Sequence, residues 1–210
     1  MSNELLFASV DSLPPINKEI AAQEILKIDP AKSFWDYYRN VRIYPLMTKN
    51  ASIGIEGSTN YQTGSFQWTS FAPSVIVEWC ENHVFPWIGS KTRVVAFVTP
   101  PESHNNEHFD CDRTELNTRQ HKLRVVLQGQ SDSLYWLTEN GTVNAPVTDK
   151  PFIIDGAWPH GVKNDSQQHK VVLALGSPWN GKHSYDDITI MQYKTEFVMP
   201  KEIVHLWEKL

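Results

Sequence analysis

From residue 93 onward the chain is written in short apolar runs rich in β-branched residues, each closed by a turn signal. Residues 93–99, 123–127, 134–137, 151–155, 169–175 and 188–193 each read as a strand. Pro100-Pro101 stops the first, and Glu139-Asn140-Gly141 closes the third. Residues 108–112 read as a short extended piece, and the polar run Ser103-His104-Asn105-Asn106-Glu107 before it as a loop. No helical segment separates these strands, which favours an antiparallel sandwich or open barrel over a parallel α/β sheet. The first 90 residues have a different texture. Asn17 is placed to cap a helix carrying Ile20, Ala21, Ile25 and Leu26, and Asp29-Pro30 ends it. A short aromatic helix is expected over 33–39, and the glycine-containing stretch 49–68 reads as loop or irregular strand. Pro73 opens a second helix over 74–84, with Val75, Ile76, Trp79, Cys80 and His83 on one face. The expected organisation is one domain, 1–210, in which a mixed region (1–90) packs on a β core (91–195).

Composition narrows the classes. A chain of 210 residues with 40% hydrophobic and 20% charged residues fits one ordinary globular domain. Eight tryptophans point to an aromatic-lined interior. A net charge of −5 and no lysine/arginine cluster argue against a nucleic-acid partner. Cys80 and Cys111 form neither a disulfide framework nor a zinc-finger spacing, which suits a reducing, cytoplasmic compartment. The N-terminal stretch lacks the basic and apolar regions of a signal peptide, and no run reaches the roughly 20 apolar residues of a membrane span, so no membrane partner is expected.

Against this background, His108-Phe109-Asp110 stands out together with His160 in Trp158-Pro159-His160-Gly161-Val162-Lys163-Asn164. Side chains two apart on a strand share a side, so His108 and Asp110 can converge on one point and His160 can join them from a later strand. Two imidazoles and a carboxylate on one face of a metal, with the other face open, is the ligand set of non-haem Fe(II) oxygenases. The alternative is a chance His-X-Asp and unrelated histidines; His83, His121, His183 and His205 have no partner pattern, and His104, though near His108, lies in the polar run read as a loop. After a polar turn, Lys170 starts the run Lys170-Val171-Val172-Leu173-Ala174-Leu175, so His160 and Lys170 read as flanking a hairpin. Lys170, Val172 and Ala174 then share one face. If that face is interior, the ammonium needs an anion; otherwise Lys170 is a solvated strand-end residue. Arg124, inside the apolar run 122–127, is either a carboxylate-binding fork or an edge-strand residue facing water.

On these residues, and on Phe152-Ile153-Ile154-Asp155-Gly156-Ala157 ahead of the His160 motif, the stretch 93–179 resembles the Fe(II)/2-oxoglutarate-dependent dioxygenases. Within them it is similar to the aspartyl/asparaginyl β-hydroxylase family, which includes bacterial proline hydroxylases. The resemblance implies a double-stranded β-helix (jelly roll, cupin-like) with flanking helices. It implies Fe(II) held by His108, Asp110 and His160, and 2-oxoglutarate contacted by Lys170 and Arg124. It also implies hydroxylation of an unactivated carbon of an amino acid or peptidyl residue, with dioxygen consumed and succinate and CO2 released. Two departures accompany it: lysine stands at position 170 where the family has arginine, and the polar stretch from Asp110 to Arg124 is long enough for a lid. Trp136 and Trp158 are expected in the cavity wall or the core, and substrate contacts in the 58–61 region. Readings from other classes are a metal-binding cupin acting as an isomerase or small-molecule sensor, and a binding module with unrelated histidines.

Overall fold

Alternate side chains along the central strands go to two different interiors, and this divides the molecule into layers. The computed structural model describes residues 7–37, 39–48, 66–108, 121–138, 141–156, 159–176 and 188–191. Its strands are β1 (Phe7–Val10), β2 (Phe34–Asp36), β3 (Val41–Thr48), β4 (Gln67–Trp68), β5 (Val94–Thr99), β6 (Ser103–His108) and β7 (His121–Gln128). They continue as β8 (Leu134–Thr138), β9 (Gly141–Asn144), β10 (Phe152–Asp155), β11 (His160–Asn164), β12 (Lys170–Gly176) and β13 (Ile188–Met191). A large sheet runs β13-β1-β10-β7-β12-β5-β3-β2, with β4 also paired to β3, and a small sheet runs β6-β11-β8-β9. The pairings are antiparallel, from the centre of the large sheet to the edge of the small one. This is a double-stranded β-helix.

On one face of the large sheet, Val94, Ala96, Val98, Leu123, Val125, Leu173 and Leu175 pack into the main core with the helices. On the other face Val126, Phe152 and Ile154 meet Leu134 and Trp136 of the small sheet. Strand period two sorts the side chains this way. Helix α1 (Lys18–Lys27) lies on β7, capped by Asn17, whose Oδ1 accepts from the Ile20 N–H at 3.2 Å. Its buried face is Ala21, Ala22 and Ile25; Ile20 is 44% and Leu26 39% exposed, so the packed stripe is narrower than the sequence implied. The second helical stretch is longer than expected. Helix α2 (Ser74–Trp79) passes through a π-helical turn (Cys80–Val84) into α3 (Phe85–Ile88) and ends at Gly89, whose φ of 81° is left-handed. The wide turn precedes Pro86, which has no N–H to give to the ladder. His83 is exposed rather than on the buried face.

Three expectations are corrected. The aromatic segment 33–39 is not a helix: Phe34 and Trp35 pair with Ile43 and Arg42 as β2, where aromatic residues fit a pleated surface. The polar run 103–107 is not a loop but most of β6, held by β11. His160 and Lys170 do not flank a paired hairpin, because β11 pairs with β6 and β8 while β12 pairs with β5 and β7. The chain crosses between sheets at 165–169, as it does between β5 and β6. Asn164 ties these two crossings together. Its Nδ2 donates to the carbonyls of Pro100 (2.7 Å), Gln168 (2.8 Å) and Thr99 (3.3 Å), and its Oδ1 accepts from Ser166 at 2.8 Å. No described helix is long and apolar enough to cross a membrane. The expected loop positions 49–65, including 58–61, lie outside the described residues, as do Asp110, Cys111 and Trp158.

Gly161 has no room for a side chain: a Cβ there would stand 2.5 Å from the Tyr135 hydroxyl and 3.1 Å from the Asn105 carbonyl oxygen. Tyr135 is itself held by its hydrogen bond to Glu107 at 2.7 Å. Gly161→Ala should therefore destabilise by about 1–3 kcal/mol, the usual range for overpacking. In a thermal melt that is a fall of about 3–10 °C for a chain of this size; an unchanged melting temperature would show that the strands yield easily here.

Candidate metal centre

His108 is the last residue of β6 and His160 the first of β11, and the register sets them opposite each other. His160 also stands opposite Trp136 of β8, in the middle of the small sheet. A register shift after His160 breaks the regular ladder next to the histidine pair. The two ring centroids are 4.5 Å apart with the planes tilted by 51°. Both rings are buried, His160 to 2% exposure. Nδ1 of His108 lies 2.7 Å from the Asn106 carbonyl oxygen, an acceptor only. The proton therefore sits on Nδ1 and the lone pair on Nε2, the tautomer a metal ligand needs.

This donor set fits a metal. An imidazole bound at about 2.1 Å has its centroid about 3.2 Å from the ion, so two at right angles stand about 4.5 Å apart, close to the spacing seen. The third expected ligand, Asp110, lies outside the described residues, and among those described no group of three metal-binding side chains forms.

The histidines open on a cleft between the sheets, lined also by Phe97, Arg124, Val126 and Lys170. Lys170 is 3% exposed, so it is not a solvated strand-end residue. Its ammonium donates to the Gln130 carbonyl. Gly129 gives its stem passage: with φ at 95°, a Cβ there would come within 3.1 Å of Lys170 Cγ. Burial pulls the Lys170 pKa down to about 8, against the opposing pull of Asp132. Lys170, Val172 and Ala174 do turn to one face, opposite to Val171, Leu173 and Leu175 of the main core.

Arg124 is no edge residue. β7 lies between β10 and β12, and the side chain is 9% exposed. Its Cζ sits 5.1 Å from the Phe97 ring centroid. Phe97 is on β5, beyond β12, and pairs with Val172, so the arginine starts opposite the small Ala174 and leans towards the Val172 level, on the Lys170 side. Ala174 and Lys170 are four residues apart on β12, which sets the starting points of the two cations about 13 Å apart along the strand.

Sequence reasoning missed Phe97, Arg39 and the Thr99–Asn105 hydrogen bond (3.1 Å) in the cleft wall. The alternation in 93–99 could have flagged Phe97 and Thr99; nothing in the sequence singles out Arg39. Trp136 is core: it packs with Phe7, Phe152 and Ile154, and its Nε1 has no hydrogen-bond partner among the described residues.

No protein-family model matches the chain, and no curated protein matches it either. Solved structures share its fold. A prolyl hydroxylase from Trichoplax adhaerens, in complex with a hypoxia-inducible-factor peptide fragment, aligns at a TM-score of 0.52 with 14% identity, over 83% of this chain and 85% of its own. HygX from Streptomyces hygroscopicus, solved with nickel, 2-oxoglutarate and hygromycin B, aligns at 0.52 with 11% identity, over 83% of this chain and 84% of its own.

If the histidine pair holds a metal, His108→Ala and His160→Ala should each weaken Fe(II) or Ni(II) binding by more than the roughly 10–100-fold that loss of an outer-shell partner costs. Calorimetric titration of the anaerobic protein measures this; unaltered affinity in both variants would remove the site.

Proposed function

We propose that the chain is an Fe(II)/2-oxoglutarate-dependent dioxygenase that hydroxylates an unactivated carbon of an amino acid or peptidyl residue, with succinate and CO2 as coproducts. The observation that carries this reading is a buried histidine pair and a buried lysine opening on one cleft. Both suit one ligand that is a chelator at one end and a carboxylate at the other. The fold shared with the prolyl hydroxylase and with HygX, whose structure holds nickel and 2-oxoglutarate, supports it.

In this reading His108 and His160, with Asp110, hold the iron. Bound iron would supply the activation of dioxygen that drives oxidative decarboxylation of 2-oxoglutarate and oxidation of a C–H bond. The protein contributes position and dryness. The Asn106 carbonyl orients the His108 ring. Lys170 holds the distal carboxylate of the cosubstrate as a point charge, and that carboxylate supplies the anion a buried ammonium requires. Val126, Val172 and Phe97 exclude water from the space between.

With ferrous iron and 2-oxoglutarate under anaerobic conditions, the protein should show the visible charge-transfer band of the chelate, and in air it should form succinate. A metal-binding cupin without oxygenase activity would give neither. Lys170→Ala should raise the 2-oxoglutarate requirement at least about tenfold, the effect of losing one charge-assisted hydrogen bond, with iron affinity little changed. Equal loss of iron binding would mean that Lys170 supports the metal instead.

The same lysine predicts a pH profile. Only the ammonium holds a carboxylate, and in the free protein it titrates near 8 because of its burial. Affinity for 2-oxoglutarate should be flat below that pH and fall by up to about tenfold per unit above it. Lys170→Arg should stay flat to about pH 9.5, since guanidinium remains charged. Fluorescence titration across this range checks both; a flat wild-type profile above pH 8 would count against the role.

A further inference from the structure

Lys170 stands between two cavities. Its inner side faces the cleft, and its outer side faces a polar groove lined by the Ser131–Ser133 turn, the end of β11 and the 165–169 crossing. Among the described residues that line either space, Lys170 alone belongs to both. Its side chain passes Gly129 and ends at the Gln130 carbonyl, a residue of the groove wall. The charged groups on the two sides differ. From the cleft come Arg124 of β7 and Arg39 of the β2–β3 turn, both cations. From the groove come Asp132 of the 131–133 turn, Lys163 of β11, and Asp165 and His169 of the crossing. Asp165 is exposed and lies 3.9 Å from His104 Nδ1, and the Lys163 ammonium sits 5.5 Å from the Tyr135 ring centroid. Asp132 is the group whose charge opposes the pull of burial on Lys170. The turn fixes Asp132 without engaging its carboxylate. Asn144 Nδ2 donates to the Asp132 carbonyl at 2.7 Å, and Ser131 Oγ donates to the Pro146 carbonyl at 2.6 Å. Ser133 Oγ donates to the Gln130 carbonyl at 2.8 Å, the same oxygen that takes the Lys170 ammonium, so turn and lysine form one unit.

We infer that Asp132 is a positioning residue for the cosubstrate: from the outer groove it keeps the proton on Lys170, so that the empty cleft presents an ammonium rather than an amine. This inference deepens the proposed function and rests on it. A buried lysine that must capture a carboxylate meets two opposed demands. Burial strengthens the contact once it is made, but favours the neutral amine beforehand. An acid inside the cleft would keep the lysine charged only by competing with the cosubstrate. Asp132 stands behind the lysine instead, nearer to the ammonium than to the carboxylate the ammonium would hold. Its attraction for the one therefore exceeds its repulsion of the other.

Two readouts on the full chain test this. The first needs no cosubstrate: NMR of lysine-labelled protein, with the Lys170 Cε signal identified by its absence in Lys170→Arg. In Asp132→Asn that signal should titrate at a lower pH than in the wild type, and Asp132→Glu should restore most of the difference. The second is calorimetric binding of 2-oxoglutarate to the Mn(II)-loaded protein. At about pH 6.5 Lys170 is charged in both proteins, so Asp132→Asn and the wild type should agree within about twofold. Near pH 9 the variant should bind about twofold to fivefold more weakly, the range for a partly exposed charge pair, and high salt should narrow the gap. An unshifted Lys170 titration in Asp132→Asn, or a loss of affinity that is the same at both pH values, would overturn the inference. If the wild type binds no 2-oxoglutarate at all, the proposed function fails; the NMR titration then judges the Asp132–Lys170 pair alone.

Discussion

Two passages of the chain between the two sheets, β5–β6 and β11–β12, are tied by one side chain, Asn164. Its amide takes carbonyls from the β5–β6 crossing and from the β11–β12 crossing, so the two turns are fixed against each other rather than each separately. The positions of β6 and β11 follow from this, and with them the facing of His108 and His160. The level at which Lys170 enters β12 follows too. An Asn side chain suits the task, since its two N–H groups serve three carbonyls while its oxygen accepts, and buried backbone carbonyls need such a donor.

The cleft shows how strand period two becomes chemistry. Each central strand of the large sheet gives one parity of side chains to a dry core and the other to the space between sheets. In the second set stand an arginine and a lysine, placed there by parity alone. Burial makes the ammonium less basic and makes any anion that reaches it more strongly held, because the same low dielectric acts on both.

Much of this was legible beforehand. The apolar runs after residue 93 mark strands because both faces of the large sheet are buried there, so hydrophobicity shows without clean alternation. His108, His160, Arg124 and Lys170 could be singled out because imidazole and cations in such runs are costly unless used. β6 was not legible: it is an edge strand of the small sheet, and Ser103-His104-Asn105-Asn106-Glu107 reads as loop when the pairing with β11 is unknown. β2 was lost for the same reason, an aromatic triplet whose form is decided by its partner β3. The crossing after Asn164 looked like a hairpin because a polar turn between two apolar strands has the same composition whether the strands pair or part. β1 and β9 are four residues each and carry no local signal strong enough to separate them from neighbouring loops, whereas β3, with Val41, Ile43 and Tyr44, carries one that went unread.

The place of β12 in the large sheet has a consequence for how the protein is made. It fills the gap between β5 and β7, yet of the large sheet's described strands only β13 follows it in the chain. During synthesis β5 and β7 are therefore available well before the strand that joins them. Until Gly176 has left the ribosome, the two halves of the sheet present open hydrogen-bonding edges flanked by apolar side chains, the arrangement most exposed to wrong partners. Completion of the fold, and with it the enclosure of the cleft that holds both histidines, waits on a late event in translation.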